Sequence, residues 1–244
     1  MLGSLTIRNF KSIEYAQVRF GALTCIIGRN GVGKSNLFDA IHFLSLLADR
    51  DIHDASIEVR RARDGAHSPL DLIYARDPHR KIELNADMIV PDSVVDDFGV
   101  SVRPSTTLLS YRVMLRYDKQ SDRLFVNEER LSHARLSEYS NFTAFPTSTS
   151  FRSSVAIGSR RGGPLISTSE EKIMLHGDGG SRGRPAPVGT SPLTVVGGTN
   201  TADYPTVLAA KREMTSWRLL HLEPSAMRSP DMRSARPHVS AAGG

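Results

Sequence analysis

The 244 residues are 39% hydrophobic, enough to bury one large core or a main domain with a smaller lobe, which excludes a wholly disordered chain. Lysine and arginine outnumber aspartate and glutamate 31 to 26; the net charge of +5 suits an anionic partner but does not by itself require one. The single cysteine, Cys25, excludes an internal disulfide, and no apolar stretch approaches the ~18 residues of a membrane span, so a soluble, cytoplasmic protein without a signal peptide is expected.

In chain order, Leu5, Ile7 and Phe10, then Ala16, Val18 and Phe20, have the spacing of two short strands. Residues 23–27 form a continuous apolar run that reads as a buried strand, with Cys25 as one of its small hydrophobes. After the glycine-rich residues 28–33, Leu37, Ile41, Leu44 and Leu47 recur at helical spacing, which predicts a helix over 34–48. The polar, arginine-rich stretch 49–66 continues as a partly exposed helix before residues 68–81 turn the chain. Ile82, Leu84, Ala86 and Met88 then alternate, as do Leu109, Tyr111, Val113, Leu115 and Tyr117, and Leu124 to Val126 follow a turn. These read as antiparallel strands with one wet face.

From 145 to 200 serine, threonine, glycine, proline and arginine dominate, so this part is expected to be rich in mobile loops around short apolar pieces at 155–157, 173–175 and 194–196. Asp203 is placed to cap a helix with Pro205 in its first turn, running toward a short strand at 219–222 that Pro224 closes. Residues 1–224 therefore read as one lobe. Residues 225–244 lack hydrophobic periodicity and read as a flexible tail or a connection to a further lobe.

The string Gly28-Arg29-Asn30-Gly31-Val32-Gly33-Lys34-Ser35 fits the G-x-x-x-x-G-K-[ST] pattern between an expected strand and an expected helix. Glycines let the backbone fold around phosphate oxygens, so that N–H groups and the positive end of the following helix face the anion. Lys34 would reach the β- and γ-phosphates, and the Ser35 hydroxyl would be a ligand of Mg²⁺; Arg29, Asn30 and Val32 need supply only backbone. ATP with Mg²⁺ is the expected ligand.

Around that loop the resemblance becomes specific. Asn9-Phe10-Lys11-Ser12 at the end of the first strand, and Asn36, Leu37, Ala40 and Ile41 after the loop, resemble the N-terminal lobe of the RecF/SMC/OLD branch of ABC-type ATPases, densest over residues 2–48. The resemblance implies an α/β P-loop NTPase lobe of the ABC-ATPase head kind with an antiparallel β subdomain, binding nucleotide through residues 28–36. It implies an ATPase of DNA repair and maintenance or anti-phage defence, in which a second copy's signature serine completes the bound ATP, with DNA or a nuclease as partner. The same family needs an apolar Walker B strand ending in Asp-Glu and a glycine-containing signature turn. Leu219-Leu220-His221-Leu222-Glu223 imitates the first only superficially, because Glu223 stands alone and His221 interrupts the run; Ser167 to Lys172 imitates the second without its glycine. No catalytic residue is therefore assigned. The expectation is a truncated chain or split subunit whose complementing C-terminal lobe supplies those groups, with a non-hydrolysing, nucleotide-dependent binding module as the alternative.

Other candidates are weaker. Gln120 sits in a hairpin turn, the histidines are scattered without paired spacing, and Asp92, Asp96 and Asp97 read as a solvated loop or cap. Arg60, Arg61 and Arg63, and Arg160, Arg161, Arg182 and Arg184, are small basic clusters able to track a nucleic-acid backbone, but exposed charge without function is the preferred reading of each.

Overall fold

The first two strands, β1 (Leu2–Phe10) and β2 (Ile13–Arg19), close a hairpin in which Leu5 lies opposite Val18 and Ile7 opposite Ala16. Alternation would carry Asn9 into the core after Leu5 and Ile7. Instead Asn9 takes a left-handed conformation (φ 55°), and Phe10 is the residue that becomes fully buried. The computed structural model describes residues 1–59, 68–134, 143–144, 148–156, 163–169, 172–179, 184–187 and 191–220.

Helices α1 (Lys34–Leu47) and α2 (Ile52–Val59) follow, and then β3 (Ile82–Ile89), the short pair β4 (Val94–Val95) and β5 (Ser101–Val102), and the long hairpin β6 (Leu108–Asp118) and β7 (Arg123–His133). The remainder comprises α3 (Thr149–Val155), β8 (Ile166–Ser169), β9 (Lys172–Leu175), β10 (Arg184–Pro187), α4 (Val195–Gly198) and α5 (Pro205–Thr215). One eight-stranded sheet runs in the order β10-β9-β8-β7-β6-β3-β1-β2, with every pair antiparallel.

One face of the sheet presents Leu5, Ile7, Leu84, Ala86, Tyr111 and Val113, all fully buried, to the helices. From α1, Leu37, Ala40, Leu44 and Leu47 meet that face, and the Phe43 ring stacks on Phe10 with centroids 5.8 Å apart. The opposite face is wet and laced with charge: Arg112 lies 3.1 Å from Glu83 and 3.6 Å from Glu128.

Several expectations need correction. Residues 23–27 are not a strand: Leu23 and Ile27 are 92% and 90% exposed, and Cys25 is exposed rather than buried. An apolar run becomes a buried strand only beside other strands. The sheet ends at β2, the chain leaves the ladder where the Phe20 amide donates to Gly3 (2.8 Å), and no described strand lies alongside 23–27. The described fold is thus mixed α/β with a wholly antiparallel sheet. Asp203 does not cap α5, whose N-cap is Tyr204. Asp178 serves that end instead, accepting from the amides of Thr206 (3.4 Å) and Ser105 (3.1 Å) and from the Thr206 hydroxyl. The loop-rich reading of 145–200 is too sparse, since three strands and two helices fall within it, each of seven residues or fewer. Residues 217–220 form no strand, and 221–244, Glu223 among them, lie outside the described residues.

Candidate functional site

Gly31 (φ 84°) and Gly33 (φ 96°) hold left-handed conformations that the glycine loop requires, and a Cβ at Gly33 would come within 3.2 Å of the Ser12 hydroxyl. The loop thereby turns sharply into α1. Leu37 donates to the Gly33 carbonyl (3.1 Å) as the first helical bond, while no side chain caps the helix and its first turn holds no acidic residue. The N-terminal amides and the positive end of the helix dipole are left for an anion. Lys34 folds back over the loop, its ammonium donating to the carbonyls of Gly28 (2.6 Å) and Arg29 (2.7 Å). Those two bonds pre-position a cation at the loop mouth. Arg29, Asn30, Gly31, Val32 and Ser35 are exposed, so backbone and hydroxyl alike are open to a ligand.

The Asn9-to-Ser12 segment is the loop's brace. Ser12 accepts from the Asn36 amide (2.6 Å), Lys11 bridges to Asp39 (2.7 Å) and donates to the Val59 carbonyl (3.0 Å), and the Lys11 amide donates to Leu72 (2.8 Å). Two consecutive residues of the turn thus hold two points of α1, one helical turn apart. Ser12 and Lys11 were legible as a motif, but their work as clamps was not.

The loop opens onto a cavity of about 560 Å³ that Val32, Gly33 and Lys34 share with Ser12, Ile13 and Tyr74. Among the described residues Glu14 is the one carboxylate on its lining, and it is bound to Arg80 at 2.9 Å, a hydrogen bond that pushes the guanidinium above its ordinary value. The donors fit a triphosphate: a helix N-terminus, a lysine and a loop of left-handed glycines. The exposed Ser35 hydroxyl is a donor that could hold Mg²⁺ beside a bound phosphate.

Of the other sequence candidates, Gln120 lies in the β6–β7 turn and Ser167 on β8, where its hydroxyl meets the His176 ring at 3.0 Å. Asp96 is structural: the amides of Phe98 (2.9 Å), Val100 (2.8 Å) and Ala202 (3.2 Å) donate to it, and these bonds lower its pKa. Among the described residues no three His, Cys, Asp or Glu gather as a metal site, and no helix is long and apolar enough to cross a membrane. Arg60, Arg61, Arg63, Arg160, Arg161 and Arg182 lie outside the described residues, and Arg184 is described only as backbone of β10.

A glycine loop of this geometry, opening an uncapped helix and closed over by its lysine, marks a nucleotide-binding module of the P-loop NTPase class. The family described as the AAA ATPase domain matches residues 1–159, and the chain belongs to that family. Among curated proteins it is similar to DNA replication and repair protein RecF of Porphyromonas gingivalis (52% identical over 46 residues, covering 18% of this chain and 13% of the relative). It is also similar to RecF of Bacteroides thetaiotaomicron (37% over 65 residues; 26% and 18%) and of Trichormus variabilis (33% over 100 residues; 36% and 27%). The matches span 13% to 27% of these relatives' lengths, so the likeness is RecF-like and partial.

Proposed function

We propose that this chain is the ATP-binding part of a RecF-like ATPase, holding ATP–Mg²⁺ with the backbone of residues 28–36, the Lys34 ammonium and the Ser35 hydroxyl. The observation that carries this reading is the uncapped N-terminus of α1, with Lys34 already held at its mouth by two loop carbonyls. Hydrolysis needs a carboxylate to position the attacking water. The one acid on the cavity lining, Glu14, is engaged by Arg80, which supports a chain that binds nucleotide and turns it over only when a complementing lobe or second copy adds Walker B and signature groups. The relatives' name places them in DNA replication and repair, and a role in DNA repair or maintenance, or in defence against foreign DNA, with DNA or a nuclease as partner, is the biological setting we infer. The engagement of Glu14 by Arg80 equally supports the second reading, a module in which bound ATP holds two protein surfaces together without turnover.

Calorimetry on Lys34→Ala tests the binding. Loss of a charge-assisted contact of roughly 1.5–3 kcal/mol should weaken ATP–Mg²⁺ tenfold or more. Unchanged affinity would remove the loop from the site. Turnover by the chain alone, abolished in Glu223→Gln, would instead assign that residue the role of water-positioning acid.

A further inference from the structure

The eight-stranded sheet ends at two edges that differ in how they are protected. β10 carries proline at 185 and 187, which takes two donors away from that edge and keeps another strand from pairing along it. β2 has none of the usual defences. Its seven residues include no proline, glycine or lysine, its ladder with β1 runs without a register shift, and no described strand lies along its outer side.

The direction of its backbone groups follows from one bond. The Phe20 amide donates to Gly3 (2.8 Å). Hydrogen-bonding direction alternates along a strand, so Val18 and Ala16 turn their backbone groups toward β1, whereas those of Tyr15, Gln17 and Arg19 point away from it. All three of these residues are exposed, while Ala16 and Val18 are half-buried. The middle of the strand, Tyr15 to Val18, is uncharged, and Glu14 and Arg19 flank it with opposite signs.

We propose that β2 is a dimer edge: a second copy of this chain adds its own β2 antiparallel to it, with Gln17 opposite the partner's Gln17 on a two-fold axis. The strand is complementary to itself in that register. Tyr15 then lies opposite the partner's Arg19, Ala16 opposite the partner's Val18 and Glu14 opposite the partner's Phe20, so that no like charges meet. The outward backbone groups of Tyr15, Gln17 and Arg19 fall in phase with those of the partner's Arg19, Gln17 and Tyr15, each residue donating and accepting. Registers displaced toward either end leave part of the edge unpaired, and one centred on Arg19 would set two guanidinium groups face to face. A self-complementary edge closes with two copies, which selects a second copy of this chain over an unrelated strand. Tyr15 and Ala16 also line the cavity beside the glycine loop, so the added strand runs along the rim of that site. No group of the nucleotide takes part, and the pairing therefore does not rest on the triphosphate reading.

Sedimentation of the full chain without nucleotide tests the pairing. The unaltered chain should pass from monomer to dimer as its concentration rises, with nothing larger. Gln17→Pro removes a donor that the monomer does not use, and should raise the dissociation constant about tenfold or more. Gln17→Lys and Gln17→Glu each set like charges opposite one another across the axis, and each should weaken the dimer about fivefold. Mixed in equal amounts, those two variants should pair with each other and recover the dimer. Thermal unfolding establishes that each variant is folded, and the two charge variants, altered at an exposed position, carry the test if the first does not fold. A chain that stays monomeric at every concentration overturns the proposal, as do open-ended assemblies or a dimer indifferent to all three substitutions. A dimer weakened by both charges but not recovered by mixing overturns it too, because Gln17 would then not face its own copy.

Discussion

The two ends of α1 are built on opposite principles. At its N-terminus no side chain caps the helix, the loop before it is exposed, and of residues 23–27 all but the half-buried Ile26 are exposed, Ile27 at 90%. At its C-terminus the protein supplies everything: the Thr194 hydroxyl donates to the Leu47 carbonyl (2.8 Å), and Gly197 packs so closely that a Cβ there would come within 2.6 Å of that oxygen. Thr194 and Gly197 belong to a turn that is itself pinned from below by Glu129. That buried carboxylate accepts from the amides of Val195 (2.7 Å) and Val196 (2.9 Å) and from the Tyr111 hydroxyl (3.2 Å), while Lys211 donates to Gly197 (2.7 Å). A helix end left without a side-chain cap marks where a ligand belongs, and a helix end whose carbonyl is met by a hydroxyl from a pinned turn marks an anchor.

The largest effect that would sharpen this contrast is the titration of Glu129. Burial pushes its carboxyl up from 4.5 to about 7, against the opposing pull of the Val196 and Val195 amides and Tyr111. A carboxyl whose folded pKa lies above its unfolded value favours the fold most when protonated. Its contribution is therefore complete below about pH 4.5 and is lost as pH rises through about 7, by about 3 kcal/mol across that window. Asp96 and Asp118, whose pKa values are lowered, act at more acid pH and with the opposite sign. Urea unfolding between pH 4.5 and 8 should show this decline in the unaltered chain and its absence in Glu129→Gln. An equal slope in both would mean that the anchor does not depend on the carboxyl's proton.

Next in size is Gly197→Ala. The new methyl would overlap a backbone oxygen that cannot rotate away, so α1 and the turn must part, at about 1–3 kcal/mol. Gly31 differs: no atom lies within 4 Å of a Cβ there, and alanine would meet only the strain of a left-handed backbone, about 1 kcal/mol. A denaturation midpoint that falls further for Gly31→Ala than for Gly197→Ala would reverse the assignment of open and closed ends.

How much of this was legible follows the same division. The glycine loop is a local code, spacing and residue type together, and the helix expected after it begins at Lys34, whereas the strand expected before it is not formed. Strands that alternate in phase were readable too, as in Ile82 to Met88. β7 was readable only as far as Val126, because Asn127 is an extra residue: Leu115 pairs with Val126 and Met114 with Glu128. The bulge shifts the buried set from Leu124 and Val126 to Glu129 and Leu131, so a single alternation cannot follow the strand through. Glu129 escaped notice for that reason, and because its partners lie 66 and 67 positions further on. Asp178 likewise reaches α5 from outside its local sequence, where a local cap had been expected at Asp203.

The smallest effect separates the sequence reading of residues 23–27 from the structure most cleanly. A buried strand at that position would lose several kcal/mol when Leu23 and Ile27 became serine, since removing large buried side chains costs roughly 2–5 kcal/mol each. With the two side chains 92% and 90% exposed, the double variant should stay within about 0.5 kcal/mol of the unaltered chain. Both side chains are apolar and donate nothing to an anion, so although Ile27 lines the cavity, phosphate affinity should be unchanged as well. Urea midpoints of the double variant, alone and in the presence of ATP–Mg²⁺, decide the matter. A negligible shift in both conditions leaves the run as open surface next to a ligand site. A loss that appears only with nucleotide present would mean that ligand binding buries the run, extending the open end of α1 from the loop into the segment that leads to it.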